Sequence, residues 1–232
     1  MPGEVPRVGA EGGLRGEGER AAVEVGEFEV RAAGEDRFVR SYPLAFDTQC
    51  PPSNHQRMAS NYDIHEHTHR FAAWAAATGA SASPRCRFTV EAGKLILERA
   101  GFDARLRHPK QLPSPARMDK VHLSWRKAVI QEARKVGLEF THGIAAKLIN
   151  LYLKARFTCG GYAAHPHVAA LHPPIDSLLL KAFNRTKLPM DRLPVHWSTF
   201  DSQTYQQAIH ALREARKGLP LWTSESLWKG YQ

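Results

Sequence analysis

Apolar residues recur at helical spacing along most of the chain after about residue 58. Asn61 or Asp63 can cap a first helix running to about Thr78, with Ile64, Phe71, Trp74 and Ala75 on its apolar face. Residues 79–84 (GASASP) end it, and Thr89 caps a second helix, VEAGKLILERA, closed by Gly101. A basic, proline-rich loop over 106–115 leads to a third helix, 118–136. Its spacing turns Val121, Trp125, Ala128 and Val129 inward and Arg126, Lys127, Arg134 and Lys135 outward, with Gly137 as the terminating glycine. Thr141 or His142 opens a helix over 144–157, residues 174–183 make a shorter one, and Ser202 caps a last helix to about Lys217. The tail after Leu219 offers Trp222, Leu227 and Trp228 to pack back on the body. The one alternating segment is 23–32, VEVGEFEVRA, a candidate edge strand. The fold class expected is all-α, a compact multi-helix domain.

Composition divides the chain. Residues 1–40 hold eight of the seventeen glycines and few large apolar side chains. Residues 1–57 therefore read as a disordered or loosely structured extension and linker, and 58–232 as a single helical domain. Deleting residues 1–40 is expected to leave the fold intact. No run of eighteen apolar residues exists, so no membrane span is expected. The glycine-rich, acidic start is not a secretory signal, and Cys50, Cys86 and Cys159 are too few and too scattered for a disulfide framework or a four-cysteine metal site. Those features point to the cytoplasm. The net charge is +9, and residues 1–40 carry nine acids and six bases, so the positive charge belongs to the helical part. A polyanionic partner, DNA above all, fits that balance.

The helix at 144–157 is apolar nearly all round, which requires burial on nearly every side. Its exceptions, Lys147, Asn150 and Lys154, fall on one face. A lysine there must snorkel, pair with an acid or lose its proton, and a desolvated neutral lysine is a nucleophile able to form a Schiff base. Asp176 follows Pro173 and Pro174 and lies in the first turn of the next helix, where a carboxylate is favoured by the dipole. It is either a helix-start acid or a reacting group.

The run Gly143-Ile-Ala-Ala-Lys147, continued by Leu-Ile-Asn-Leu-Tyr-Leu and followed by Pro174-Ile-Asp176, resembles the helix-hairpin-helix DNA glycosylase superfamily, in particular its 8-oxoguanine glycosylase/AP lyase branch. The likeness spans about residues 118–183 and rests on few positions; Ala145 stands where the family has a second hairpin glycine. The resemblance implies Lys147 as nucleophile and Asp176 as its acid, with no cofactor. It implies a hairpin meeting DNA through Gly143, Thr141, His142, Asn150, Lys154 and Arg126. An extruded base would then stack on Trp74, Trp125 or Trp197. Two other functions fit the residues. One is a non-catalytic helical module that binds DNA or a protein partner in a bacterial stress or defence system. The other is a metal-dependent hydrolase using His65 and His69, spaced i, i+4 in DIHEHTH, with His165, His167 and His172 as further ligands.

Overall fold

The structure, a computed structural model, describes residues 62–83, 85–187 and 189–229. The chain divides into two units, Met1–Cys50 and Pro51–Gln232, and all described residues belong to the second. The expected extension at 1–57, its edge strand and Cys50 lie outside the described residues. The described residues form helices and loops, with no strand among them. No helix among them is long and apolar enough to cross a membrane.

The α-helices are α1 (Ile64–Ala80), α2 (Val90–Arg99), α3 (Met118–Lys135), α4 (His142–Leu153), α5 (Pro166–Ala169), α6 (Ser177–Asn184) and α7 (Ser202–Arg216). Short 3-10 turns join them, and one at Leu221–Leu227 follows α7. The caps follow from side-chain chemistry. Asp63, Thr89, Thr141, Asp176 and Asp201 each accept a backbone N–H from the first turn of the helix that follows. The last helix is thus capped by Asp201 and begins at Ser202. Likewise α6 starts later than the proline pair implied, because Pro174 and Ile175 stay outside it and Asp176 becomes the cap.

α4 is the central element. Its all-round apolarity is met by α1, α3, α7 and the Trp197–Thr199 turn. Ile144, Leu148, Ile149 and Leu153 are buried on it, each contributing about 1.5–3 kcal/mol of hydrophobic stabilisation. α1 meets it with Ala72, Ala73, Ala76, Ala77 and Ala80, small side chains that let the two backbones approach closely. Past Leu153 the helix continues in a wider π winding, Lys154–Tyr162, which stops at Gly161 with φ +92°. Arg156 in that segment is buried, and its guanidinium is satisfied by the carbonyls of Ala104, Leu106 and His65.

α3 turns a different face inward from the one its hydropathy implied. Met118, His122, Arg126, Val129 and Ala133 are buried, while Val121 and Trp125 are half-buried. Arg126, expected outside, is 1% exposed and lies over the Tyr205 ring at 4.3 Å. His122, His172 and Asn150 are tolerated inside because they join one hydrogen-bonded chain, while Arg126 is met by the Tyr205 ring and by His142 Nδ1. His122 Nε2 donates to Asn150 Oδ1 (2.8 Å), and Asn150 Nδ2 donates to Pro173 O (2.9 Å) and the Tyr205 hydroxyl (3.0 Å). The Tyr205 hydroxyl in turn donates to His172 Nδ1 (3.1 Å), and His172 Nε2 donates to Asp119 Oδ1 (2.8 Å). Arg213 clamps both Asp119 oxygens, at 2.8 and 3.1 Å. The donors along His122, Asn150, Tyr205 and His172 run towards Asp119, since the amide oxygen of Asn150 and the carboxylate of Asp119 can only accept. His122 Nδ1 and Arg126 Nε have no hydrogen-bond partner among the described residues.

Burial favours the neutral form of both histidines. Burial holds His122 well below its usual 6.5, reinforced by the His172 ring 4.2 Å away. Burial also lowers His172, with Asp119 opposing. A histidine whose folded pKa lies below its unfolded one binds fewer protons in the folded state. Its full contribution to stability is present above about pH 6.5 and is lost as the pH falls below that, down to the folded pKa. Between pH 7.5 and 5.5 the unfolding free energy should fall by an amount on the order of 1 kcal/mol, with His122 and His172 acting in the same sense. Glu225, whose carboxyl burial raises, titrates in the opposite sense. Urea melts at the two pH values measure the difference; equal midpoints would show that these histidines carry protons in the fold.

Candidate active site

Lys147 and Asp176, 29 positions apart in sequence, face each other with Nζ 3.9 Å from Oδ2. Their side chains are 11% and 21% exposed, so the pair lies just below the surface. Lys147 is held there by α4, whose other faces are buried, and its ammonium sits 4.3 Å from the centre of the Trp197 ring. Burial pulls its pKa below the ordinary lysine range, and Asp176 opposes that shift. Asp176 comes in from the start of α6. Its Oδ1 accepts the Leu179 N–H (2.9 Å), which fixes the carboxylate, and its Oδ2 accepts from Trp228 Nε1 (2.8 Å). The second oxygen is thus shared between the lysine and an indole from the tail.

Two turns further along the same face, where the π segment follows α4, Lys154 pairs with Glu225. The Leu221–Leu227 turn and Trp228 therefore lie along the lysine stripe and are joined to it by two polar contacts. The tail packs back as expected, with one change: Leu221 is buried while Trp222 is half in solvent.

The end of α4 is closed by the chain itself. The Gly143 N–H donates to Phe200 O (3.1 Å), and the Thr141 hydroxyl donates to Ser198 O (2.9 Å) while accepting the Ile144 N–H. A Cβ on residue 143 would lie 1.8 Å from Trp197 O, so glycine is required by close approach of the 197–200 backbone. Gly143→Ala is expected to displace that turn, and Trp197 with it, at a cost of about 1–3 kcal/mol in a urea melt. A variant as stable as the parent would mean that the turn has room to move.

The six residues that the resemblance turns towards DNA lie within the helical body or at its edge. Gly143, Asn150 and Arg126 are buried, and Thr141, His142 and Lys154 are half-buried. Gly143 and Thr141 are spent on the 197–200 turn, Asn150 on the buried chain, and Lys154 on Glu225. His142 accepts from Arg126 Nη1 at 3.3 Å. Each of the six has a partner within the protein. Of the three tryptophans, only Trp197 is at the lysine. Trp74 is 53% exposed on the outer face of α1, and Trp125 packs on Phe102 and His122.

The histidine pair does not converge. His69 is buried with both ring nitrogens engaged, Nε2 with Glu98 (3.0 Å) and Nδ1 with the Tyr152 hydroxyl (2.9 Å). His167 Nδ1 is bound to Leu112 O, and His172 belongs to the buried chain. Among the described residues, no group of three His, Cys, Asp or Glu side chains is placed to hold a metal ion.

Sequence reasoning missed Trp228 and Glu225 as parts of the site, and His122 and Tyr205 as parts of the core. The tail did carry a signal, two tryptophans and an acid in ten residues, but nothing that said which faced α4. Compared with protein-family models, with curated proteins and with solved structures, the chain matches none of them.

Proposed function

We propose that the protein is a DNA base-excision enzyme, a glycosylase/AP lyase that works through a lysine Schiff base. The observation that carries this is the approach of Lys147 to Asp176 at 3.9 Å, with the lysine desolvated and both groups near the surface. Lowered basicity raises the share of neutral amine above that of a solvent-exposed lysine. That amine attacks C1′ of the target nucleotide. The bond from C1′ to the base breaks, and the base leaves with its electron pair and takes up a proton. Asp176 accepts a proton from the attacking nitrogen. Opening of the sugar ring yields an imine between Lys147 and C1′, and loss of a C2′ proton expels the 3′ phosphate by β-elimination. At an abasic site the aldehyde is already present, and only the imine and elimination steps remain. Trp197 supplies a ring beside the reacting amine on which an extruded nucleotide can stack, provided it changes place with the lysine.

One observation favours a second reading, a non-catalytic module for DNA or a protein partner. Asp176 Oδ2 is already bound by Trp228, and the tail lies along the lysine face. The excision reading requires that tail to yield when DNA binds.

Incubation of the full chain with abasic-site DNA and borohydride separates the two. The excision reading predicts a covalent protein–DNA product, and 8-oxoguanine DNA tests the glycosylase step in the same assay. Absence of adduct with every lesion leaves the non-catalytic module.

A further inference from the structure

The closed end of α4 leaves open where DNA would be held. Two surface hollows flank α6, one of about 400 Å³ and one of about 640 Å³, and they share Lys181 and Arg185 as their common ridge. Lys229 lies on the far wall of the first, and Arg192 and His196 on that of the second. Neither lining includes an acidic side chain. Among the described residues none of Lys181, Arg185, Arg192 and Lys229 forms an ion pair, whereas Arg70, Arg105, Arg213 and Lys154 are each held by an acid. The nearest acids in sequence do not cancel the patch: Glu225 is turned in to Lys154, and only Asp191 is exposed beside Arg192.

We propose that this ridge and its two hollows bind the sugar–phosphate backbone of a DNA strand. The spacing suits it. Lys181 on α6 and Arg185, the helical C-cap that follows it, are four residues apart, about 6 Å along the axis, so the two cations project from one face. The hollows also meet the candidate site. Trp228, whose indole binds Asp176, sits between Leu227 and Lys229 of the first hollow. Ser177, next to Asp176, donates to the carbonyl of Val195 in the second. A strand seated on α6 therefore runs up to Asp176 and Lys147, and displacing Trp228 is the step that opens the pair to it. The identity of the strand as DNA rests on the base-excision reading; the electrostatic contact does not.

The test is fluorescence anisotropy of the full chain with a labelled DNA duplex carrying a tetrahydrofuran abasic analogue, titrated with salt. Lys181→Gln/Arg185→Gln should weaken binding by about 10- to 60-fold at 0.1 M salt and reduce the slope of log K against log salt by about 1.8. Lys127→Gln, an exposed lysine on α3, should bind within about twofold of the parent. Both substituted side chains of the double variant are exposed, and its melting temperature should match the parent's. Unchanged affinity and slope in the double variant overturns the proposal, as does absence of duplex binding by the parent. Tighter binding of duplex RNA, or equal competition by polyglutamate, overturns DNA as the occupant. Loss of binding in the double variant together with no borohydride adduct leaves the surface standing and removes the excision reading. An adduct in the double variant at the parent's affinity does the reverse.

Discussion

Lys147→Gln should abolish the borohydride adduct with abasic DNA, lowering its rate of formation by about 10³-fold or more, while the protein stays folded. Both halves follow from the geometry. An amide cannot form an imine, and no second lysine faces Asp176: Lys154 is a full seven residues on and is tied to Glu225. Stability should change by no more than about 1 kcal/mol. Glutamine fills much of the same volume, the substitution removes a charge that is costly to desolvate, and Asp176 keeps its Leu179 N–H and its Trp228 indole as partners. Asp176→Asn should slow the adduct by about 10²- to 10⁴-fold without abolishing it, because asparagine can still cap α6 and still occupies the site but accepts no proton. If the Lys147 variant traps DNA as well as the parent, the nucleophile is elsewhere.

Asn150→Leu should destabilise the fold by about 3–5 kcal/mol, a large part of the whole stability of a domain of this size. The leucine fits in volume, so packing is not the main term. The cost comes from three partners that lose their bond inside the core: the His122 Nε2–H, the Pro173 carbonyl and the Tyr205 hydroxyl. Tyr205 and His172 would then lose the orientation that ends on Asp119. The pH dependence should change with it, since a loosened core admits water to His122. Equilibrium unfolding in urea gives both quantities, and a loss below about 1 kcal/mol would mean that the buried chain is not a supporting element.

Much of the helical layout was legible because its signals are local. Asp63, Thr89 and Thr141 could be read as caps from their type and position, and the apolar ring of α4 marked it as the centre. α3 failed where hydropathy stops informing. Arg126 and His122 are polar by type but sit inside, and only their partners on α4, α7 and the segment before α6 make that affordable. The Lys147–Asp176 proximity is what the family resemblance implies, yet its closing contacts come from residues 197–200 and 225–228. Those are long-range pairings of single side chains, with no periodicity to betray them. The hairpin end illustrates the same gap. The resemblance puts Gly143 where backbone meets phosphate, while the fold sets it against the carbonyls of Trp197 and Phe200.

The most direct measurement is a peptide map of the reduced adduct. After borohydride trapping on abasic DNA, nuclease and protease digestion, and mass spectrometry, the residual sugar mass should lie on the peptide containing Lys147, with none on those containing Lys154 or Lys181. A sugar found at another lysine, or at the chain's N-terminal amine, would contradict the assignment of Lys147 as the nucleophile.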